Sequence, residues 1–203
     1  SDAVDAMALL ANDALDRVEV LQSTMAKLVA ELKATTAAPE VVQHSGLSED
    51  QEKAWTKLSL WVYTKDPYFI LKGYAGTGKT YLMKKLRDLP MTIYFSAPTN
   101  KATGVLSDAL GIKARTVFSL LGLKMEQKEG ELVMEYGKKM AYFPEGAILV
   151  VDEASMVNKK LCAFIEKARA EFKFKVLYVG DPAQLPPVGE KISKAWRMAE
   201  HKD

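Results

Sequence analysis

Between an apolar run, Tyr68-Phe-Ile-Leu71, and a helix-patterned stretch, Tyr81-Leu-Met-Lys-Lys-Leu86, stands Gly73-Tyr-Ala-Gly-Thr-Gly-Lys79-Thr80. It fills every fixed position of the pattern G-x-x-x-x-G-K-[ST]. The order strand, glycine-rich turn, helix restricts the fold to an α/β sheet whose first loop cradles phosphate. A glycine-rich turn lets successive backbone N–H groups point inward at phosphate oxygens, with the positive end of the following helix behind them. Gly73, Gly76, Thr77 and Gly78 would form that cradle. Lys79 would reach the β- and γ-phosphates, and the Thr80 hydroxyl would ligate Mg²⁺. A chance glycine-rich turn is the competing reading, and the strand before it and the helix after it weigh against that.

Two further strand ends carry chemistry. Ile148-Leu-Val-Val151 runs into Asp152-Glu153-Ala-Ser155. A fully buried strand brings Asp152 to the carboxyl edge of the sheet, beside the phosphate loop, where it can hold Mg²⁺. Glu153 would polarise the water that attacks the γ-phosphate. Val176-Leu-Tyr-Val-Gly180 then leads into Asp181-Pro182-Ala-Gln184-Leu-Pro186-Pro187-Val-Gly189. The Gln184 amide both donates and accepts, which suits a nucleotide or its attacking water. Taken alone, that segment reads as a rigid proline-rich turn with Gln184 merely exposed.

The expected fold is α/β, a phosphate-loop domain with a parallel sheet, because strand and helix patterns alternate from Leu47 onward. Expected strands are Tyr68–Lys72, 91–96, 147–151 and Lys175–Gly180; expected helices are 49–63, 79–89, Asn100–Leu110 and 158–172. Ser48 and Gln51 have the spacing of a capping box. Partial alternation around Glu129-Gly130 signals a hairpin inserted at about 123–143. Upstream, Val4, Met7, Ala11, Ala14, Val18, Leu21, Met25, Leu28 and Leu32 alternate three and four apart. This seam predicts a long helix over 1–34, either a coiled coil or an amphipathic helix packed on the chain's own body. Residues 35–46 read as a linker.

The net charge of +2 hides an asymmetry, since residues 1–40 carry seven acids against three bases and the remainder is basic. That is compatible with a polyanionic partner. The single cysteine, Cys162, excludes an internal disulfide, and His44 and His201 stand apart from any ligand-spaced partner, which argues against zinc. No apolar run is long enough to span a bilayer and no secretory layout opens the chain, so a soluble intracellular setting is expected, cytoplasm or nucleoid or virus-encoded.

The ordered set Leu47-Ser-Glu-Asp-Gln51, residues 73–80, Ser96-Ala-Pro-Thr-Asn100-Lys101-Ala102, Thr116-Val-Phe-Ser-Leu-Leu-Gly122, Val151-Asp-Glu-Ala-Ser155 and residues 180–189 resembles the amino-terminal RecA-like motor domain of superfamily 1B DNA helicases, the RecD-like and Dda-like group. The resemblance covers roughly residues 47–195. It implies ATP and Mg²⁺ as ligands, Gln51 as the reader of adenine, Lys79 and Thr80 as the nucleotide-binding pair, Asp152 and Glu153 as the metal and water acids, and Gln184 as the γ-phosphate sensor. It places Pro98, Thr99 and Asn100 against single-stranded DNA, with Thr116, Phe118 and Ser119 in the next such motif and Lys101 and Arg115 adding charge. Phe118 reads equally well as a core aromatic beside Val117, Leu120 and Leu121. The inserted hairpin would part the duplex, with Met134 and Tyr136 as wedge residues.

Family members continue into a second RecA-like domain that supplies an arginine to the ATP site, and this chain ends at Asp203. The resemblance therefore implies nucleotide binding with feeble hydrolysis unless that missing motor domain is supplied, and a chain that is part of a larger helicase working on single-stranded or fork DNA. Residues 1–34 would form a homo-oligomer or dock a replication protein. Two other readings stay open: a nucleotide-gated module that binds nucleic acid or protein, oligomerised by its coiled coil, and an RNA helicase domain of a viral replicase.

Overall fold

The computed structural model describes residues 46–128, 131–136 and 140–198, together with Met25 and Lys27. The chain divides into two units, Ser1–Gly46 and Leu47–Asp203. Of the first, Met25 and Lys27 are helical, and the rest of the heptad seam lies outside the described residues. The second unit is built from α1 (Glu49–Trp61), β1 (Tyr68–Lys72), α2 (Lys79–Arg87), β2 (Ile93–Ala97), α3 (Asn100–Leu110), β3 (Arg115–Thr116), α4 (Val117–Leu121), β4 (Leu123–Lys128), β5 (Glu131–Tyr136), β6 (Ile148–Val151), α5 (Lys159–Phe172) and β7 (Lys175–Gly180), with short 3₁₀ turns at Ala154–Met156 and Lys194–Arg197.

Five strands form one sheet in the order β1-β7-β6-β2-β3, every pair parallel. Parallel strands require crossovers, and the helices that supply them cover both faces. On one face α1, α2 and α3 bury Leu58, Trp61, Leu82, Met83, Leu86, Leu106 and Leu110 against Ile148, Val150, Leu177 and Val179. On the other, α4 and α5 bury Val117, Leu120, Leu121, Leu161, Cys162 and Ile165 against Leu149, Val151, Val176 and Tyr178. Successive residues of β6 and β7 thus alternate between two cores, and every residue of both strands is buried. That is why these strands read as unbroken apolar runs.

Local signals set the helix ends. Ser48 and Gln51 form the expected capping box at α1. Asn158 lies outside α5 as its cap, its Oδ1 accepting from Leu161 N at 2.8 Å. Helix α1 ends at Trp61, and the Lys175 ammonium closes it by donating to Trp61 O, Val62 O and Thr64 O at 2.5, 3.2 and 2.8 Å. Burial pushes the pKa of this ammonium down to about 8.

The hairpin is present as β4 paired antiparallel with β5, from Leu123↔Tyr136 to Lys128↔Glu131. Its connection at 129–130 lies outside the described residues. So do the side chains of Met134 and Tyr136, although the backbone pairs Met134 with Met125 and Tyr136 with Leu123.

Candidate functional site

All five parallel strands end at the same edge of the sheet, so the loops that follow them share that edge. In the order of the sheet these are the phosphate loop after β1, the Gln184 loop after β7, the acid turn after β6, Pro98–Thr99 after β2 and the start of α4 after β3. Residues assigned to nucleotide from sequence follow β1, β7 and β6, apart from Gln51, which stands in α1 ahead of β1. Those assigned to nucleic acid follow β2 and β3. The sheet order separates the two groups without mixing them.

The ladder continues into the phosphate loop, where Gly73 N donates to Gly180 O at 3.1 Å. A Cβ on Gly73 would stand 2.5 Å from Thr77 Oγ1, and Gly78 has φ +84° with Gln51 Nε2 2.1 Å from where its Cβ would be. Both positions need glycine, the first for close approach and the second for conformation as well. Lys79 Nζ folds over the loop, donating to Gly73 O at 2.5 Å and Tyr74 O at 2.9 Å. Thr77 Oγ1 also donates to Tyr74 O, at 2.7 Å. Thr80 is exposed at the start of α2. Gln51 accepts from Ser48 N at 3.0 Å and donates to Thr77 O at 2.8 Å, so one amide caps α1 and fastens it to the loop. A cleft of about 500 Å³ runs between α1 and the loop, lined by Gln51, Gly73, Tyr74, Gly76, Thr77 and Lys79 among others. A second, of about 400 Å³, lies on the far side of the loop by Thr80, Tyr81 and Lys84.

Asp152 follows β6, its N–H bonded to Ser96 O at 2.8 Å. The pKa of its carboxyl is raised to about 6, chiefly by desolvation; the Glu153 backbone N–H lowers it, the Glu153 carboxylate raises it and Lys79 lowers it. Glu153 turns the chain with φ 54°, a left-handed conformation that L side chains other than Asn and Asp seldom adopt. That turn brings Ser155 back under the Gln184 loop, where its Oγ donates to Gln184 Oε1 at 3.0 Å. Gln184 is exposed. In the sequence Ser155 stands out only as part of a motif. Its pairing with a residue 29 positions on has no local signal.

At the other half of the edge, Thr99 and Thr116 serve as helix caps, accepting from Ala102 N at 3.2 Å and Ser119 N at 3.1 Å. Asn100 and Lys101 are exposed on the first turn of α3, and Pro98 is half-buried. Arg115 forks onto Ser119, with Nε and Nη2 donating to Oγ at 3.2 and 2.9 Å and Nη2 also to the carbonyl at 3.1 Å. Phe118 packs against the α5-side core. It is half-buried there, in keeping with a core aromatic that leaves one part of its ring at the surface.

The donor set fits Mg²⁺. Asp152 is a partly buried carboxylate whose charge its surroundings leave undercompensated, and Thr80 offers a hydroxyl across the loop. The described residues contain no group of three or more His, Cys, Asp or Glu that would cage a metal. Mg²⁺ is held in just this manner, by one or two carboxylates with phosphate and water oxygens completing the shell.

A phosphate loop at the edge of a parallel sheet, an acid at the end of a central strand and an amide on the loop after the strand between them define a nucleotide-binding motor-type NTPase domain. Residues 46–202 match the family model described as an AAA domain; the chain belongs to that family, as a motor domain of the superfamily 1B helicases. An uncharacterised protein of Acanthamoeba polyphaga mimivirus is 32% identical over 145 residues, covering 60% of this chain and 29% of that protein. The ATP-dependent DNA helicase Dda of Enterobacteria phage T4 is 28% identical over 164 residues, covering 77% of this chain and 37% of that one. The chain therefore spans about a third of the length of these relatives. Pif1 of a Bacteroides species, solved in complex with ADP-AlF4, shares the fold with a TM-score of 0.50 at 22% identity, over 73% of this chain and 36% of its own. Among the described residues no helix is long and apolar enough to cross a membrane.

Proposed function

We propose that the chain is the ATP-binding half of a DNA helicase that moves along single-stranded DNA in the 5′ to 3′ direction and needs a second motor domain to walk. The observation that carries this reading is the order of loops along the sheet edge. Nucleotide groups and strand-binding groups are neighbours on one rigid frame, so a change at Asp152 is felt one strand away at β2 and a change at Gln184 two strands away.

In this reading Lys79 exchanges its carbonyl partners for the β- and γ-phosphates, and the Gln51 amide reads the adenine edge from the cleft beside the loop. Thr80 and Asp152 would hold Mg²⁺, which would supply positive charge against the phosphates. Glu153 accepts the proton of the attacking water as its oxygen bonds to the γ-phosphorus and the bond to the β–γ bridging oxygen breaks. Gln184 contacts the γ-phosphoryl group. Thr99, Asn100, Lys101, Thr116 and Ser119 take DNA phosphates, a sequence-indifferent mode in which the hydroxyls and the N-terminus of α3 supply the donors. The heptad pattern of residues 1–34 supports self-association or docking to a replication protein, and the β4–β5 hairpin serves as the strand-separating pin.

The test is ATP hydrolysis by the natural full-length protein with and without single-stranded DNA, Lys79→Ala serving as the control. DNA-stimulated turnover that the substitution abolishes supports the reading. Turnover indifferent to DNA and to RNA refutes it.

A further inference from the structure

The segment after β7 is fastened to the acid turn at three points. At its near end lies the Ser155–Gln184 hydrogen bond. At its far end Ser193 Oγ sits 2.8 Å from Ala154 O and 2.6 Å from Val157 O, the carbonyls that bracket the 3₁₀ turn. Between them Glu190 Oε1 accepts from the backbone N–H of Lys159 at 2.8 Å. Lys159 is the first residue of α5, and its N–H is one of the four donors a helix start leaves without an internal partner. Asn158 satisfies a different one, at Leu161. A carboxylate here also gains from the helix dipole. The other oxygen, Glu190 Oε2, is buried with no hydrogen-bond partner, so Oε1 alone carries the tether.

Burial does little to hold the stretch from Gln184 to Gly189, in which only Pro186 and Pro187 are half-buried. Gln184 is exposed, and Leu185 and Val188 are 88% and 105% exposed. The position of Gln184 relative to Asp152 and Glu153 is therefore set by polar anchors. Ser155 belongs to the acid turn and Ser193 is buried in the core, with 1% exposure. Glu190 is the anchor that can be removed without opening either.

We propose that Glu190 is a positioning residue for the γ-phosphate step: by docking on the start of α5, which follows directly from the acid turn, it keeps Gln184 in register with Asp152 and Glu153. This rests on the reading of Gln184 given above. It adds a residue whose sequence position, six beyond Gln184, carries no motif of its own.

The experiment compares the affinity of the full chain for Mg·ADP and for Mg·ADP–aluminium fluoride, in Glu190→Ala, Glu190→Gln, Gln184→Ala and Lys79→Ala. Expected for Glu190→Ala is an ADP affinity within about twofold of the unsubstituted chain and a preference for the analogue about tenfold smaller, close to that of Gln184→Ala, the scale of one hydrogen bond to a charged group. Glu190→Gln keeps the preference, because its amide oxygen still accepts from Lys159. An undiminished preference in Glu190→Ala overturns the inference. So does a parallel loss of affinity for both ligands, which marks general loosening. Full preference in Gln184→Ala removes the sensor role and the inference with it, whereas undiminished affinity for both ligands in Lys79→Ala overturns the placement of the nucleotide at the phosphate loop.

Discussion

Replacing Asp152 by asparagine should stabilise the domain while removing its response to Mg²⁺. Desolvation raises the pKa of the Asp152 carboxyl from 3.8 to about 6. A tenfold change in acid strength corresponds to about 1.4 kcal/mol between charged and neutral forms, so this rise makes the ionised carboxylate cost about 3 kcal/mol at neutral pH. The asparagine side chain is neutral and nearly isosteric, and its Oδ1 still accepts from the Glu153 N–H. The expected gain is about 3 kcal/mol at pH 8 without nucleotide or metal, or about 6–12 °C in Tm for a domain of this size. The sign follows from linkage. A group whose folded pKa is raised contributes stability that is fully present below its unfolded value and is lost as pH rises through the folded one. The advantage of the Asp152→Asn variant over the parent chain should thus be absent below pH 3.8, grow between there and about pH 6, and stay constant above about pH 7. Thermal melts from pH 4 to 8 measure it directly. Mg²⁺ added with ADP should raise the Tm of the parent beyond the effect of ADP alone and leave the variant unmoved. A variant no more stable than the parent at pH 8 refutes the assignment of Asp152 as a carboxylate kept charged against its surroundings.

The glycines of the phosphate loop should differ in a predictable order. A Cβ at Gly76 meets nothing within 4 Å, so Gly76→Ala carries only the strain of φ +79°, about 1 kcal/mol, whereas Gly78→Ala also drives the Gln51 amide off Thr77 O; nucleotide titration should show the larger loss at Gly78, and hydrogen exchange at the start of α1 should rise only there. Lys175 offers a second pH test. Its folded pKa is lowered from 10.5 to about 8, so the unfolded chain holds the extra proton between those values, and urea unfolding should show the parent gaining stability relative to Lys175→Met from pH 8 to 10. At pH 7 the variant should be about 2 kcal/mol less stable than the parent, because Trp61 O, Val62 O and Thr64 O lose their shared donor.

How far the sequence reached depended on whether a feature was local. The strands β6 and β7 were visible because both of their faces are buried, and Ser48 and Gln51 because a capping box spans four positions. Helix α4 was not expected as a helix. Its five residues, between the cap Thr116 and Gly122 in the left-handed region, are too few to display a period. Strand β2 begins two residues later than expected because Met91 is drawn into a turn by its bond to Leu89 O. The common edge was legible from strand ends alone. The Ser155–Gln184 bond, the Glu190 tether and the second use of Gln51 at Thr77 were not, since each joins residues 26 to 31 apart that only the folded sheet brings together.

The phosphate loop already satisfies its own side chains. Lys79 holds the carbonyls of Gly73 and Tyr74, Thr77 shares the second of these, and Gln51 holds that of Thr77. Phosphate binding is therefore an exchange of partners. For Lys79 the gain is the difference between an ammonium on neutral carbonyls and an ammonium on charged oxygens, about 1–2 kcal/mol, with the remainder of the affinity left to backbone N–H groups and the start of α2. These groups face the diphosphate of ADP as much as the triphosphate of ATP. Discrimination between the two must then come from the neighbouring strand ends, where Asp152 carries a carboxylate that becomes favourable only beside a cation and Gln184 waits on a tethered loop. In the proposed motor this division is useful. The loop holds nucleotide throughout the cycle, and the acid turn, hydrogen bonded through Ser96 to the strand that leads to Pro98 and Thr99, registers whether the γ-phosphate is still there.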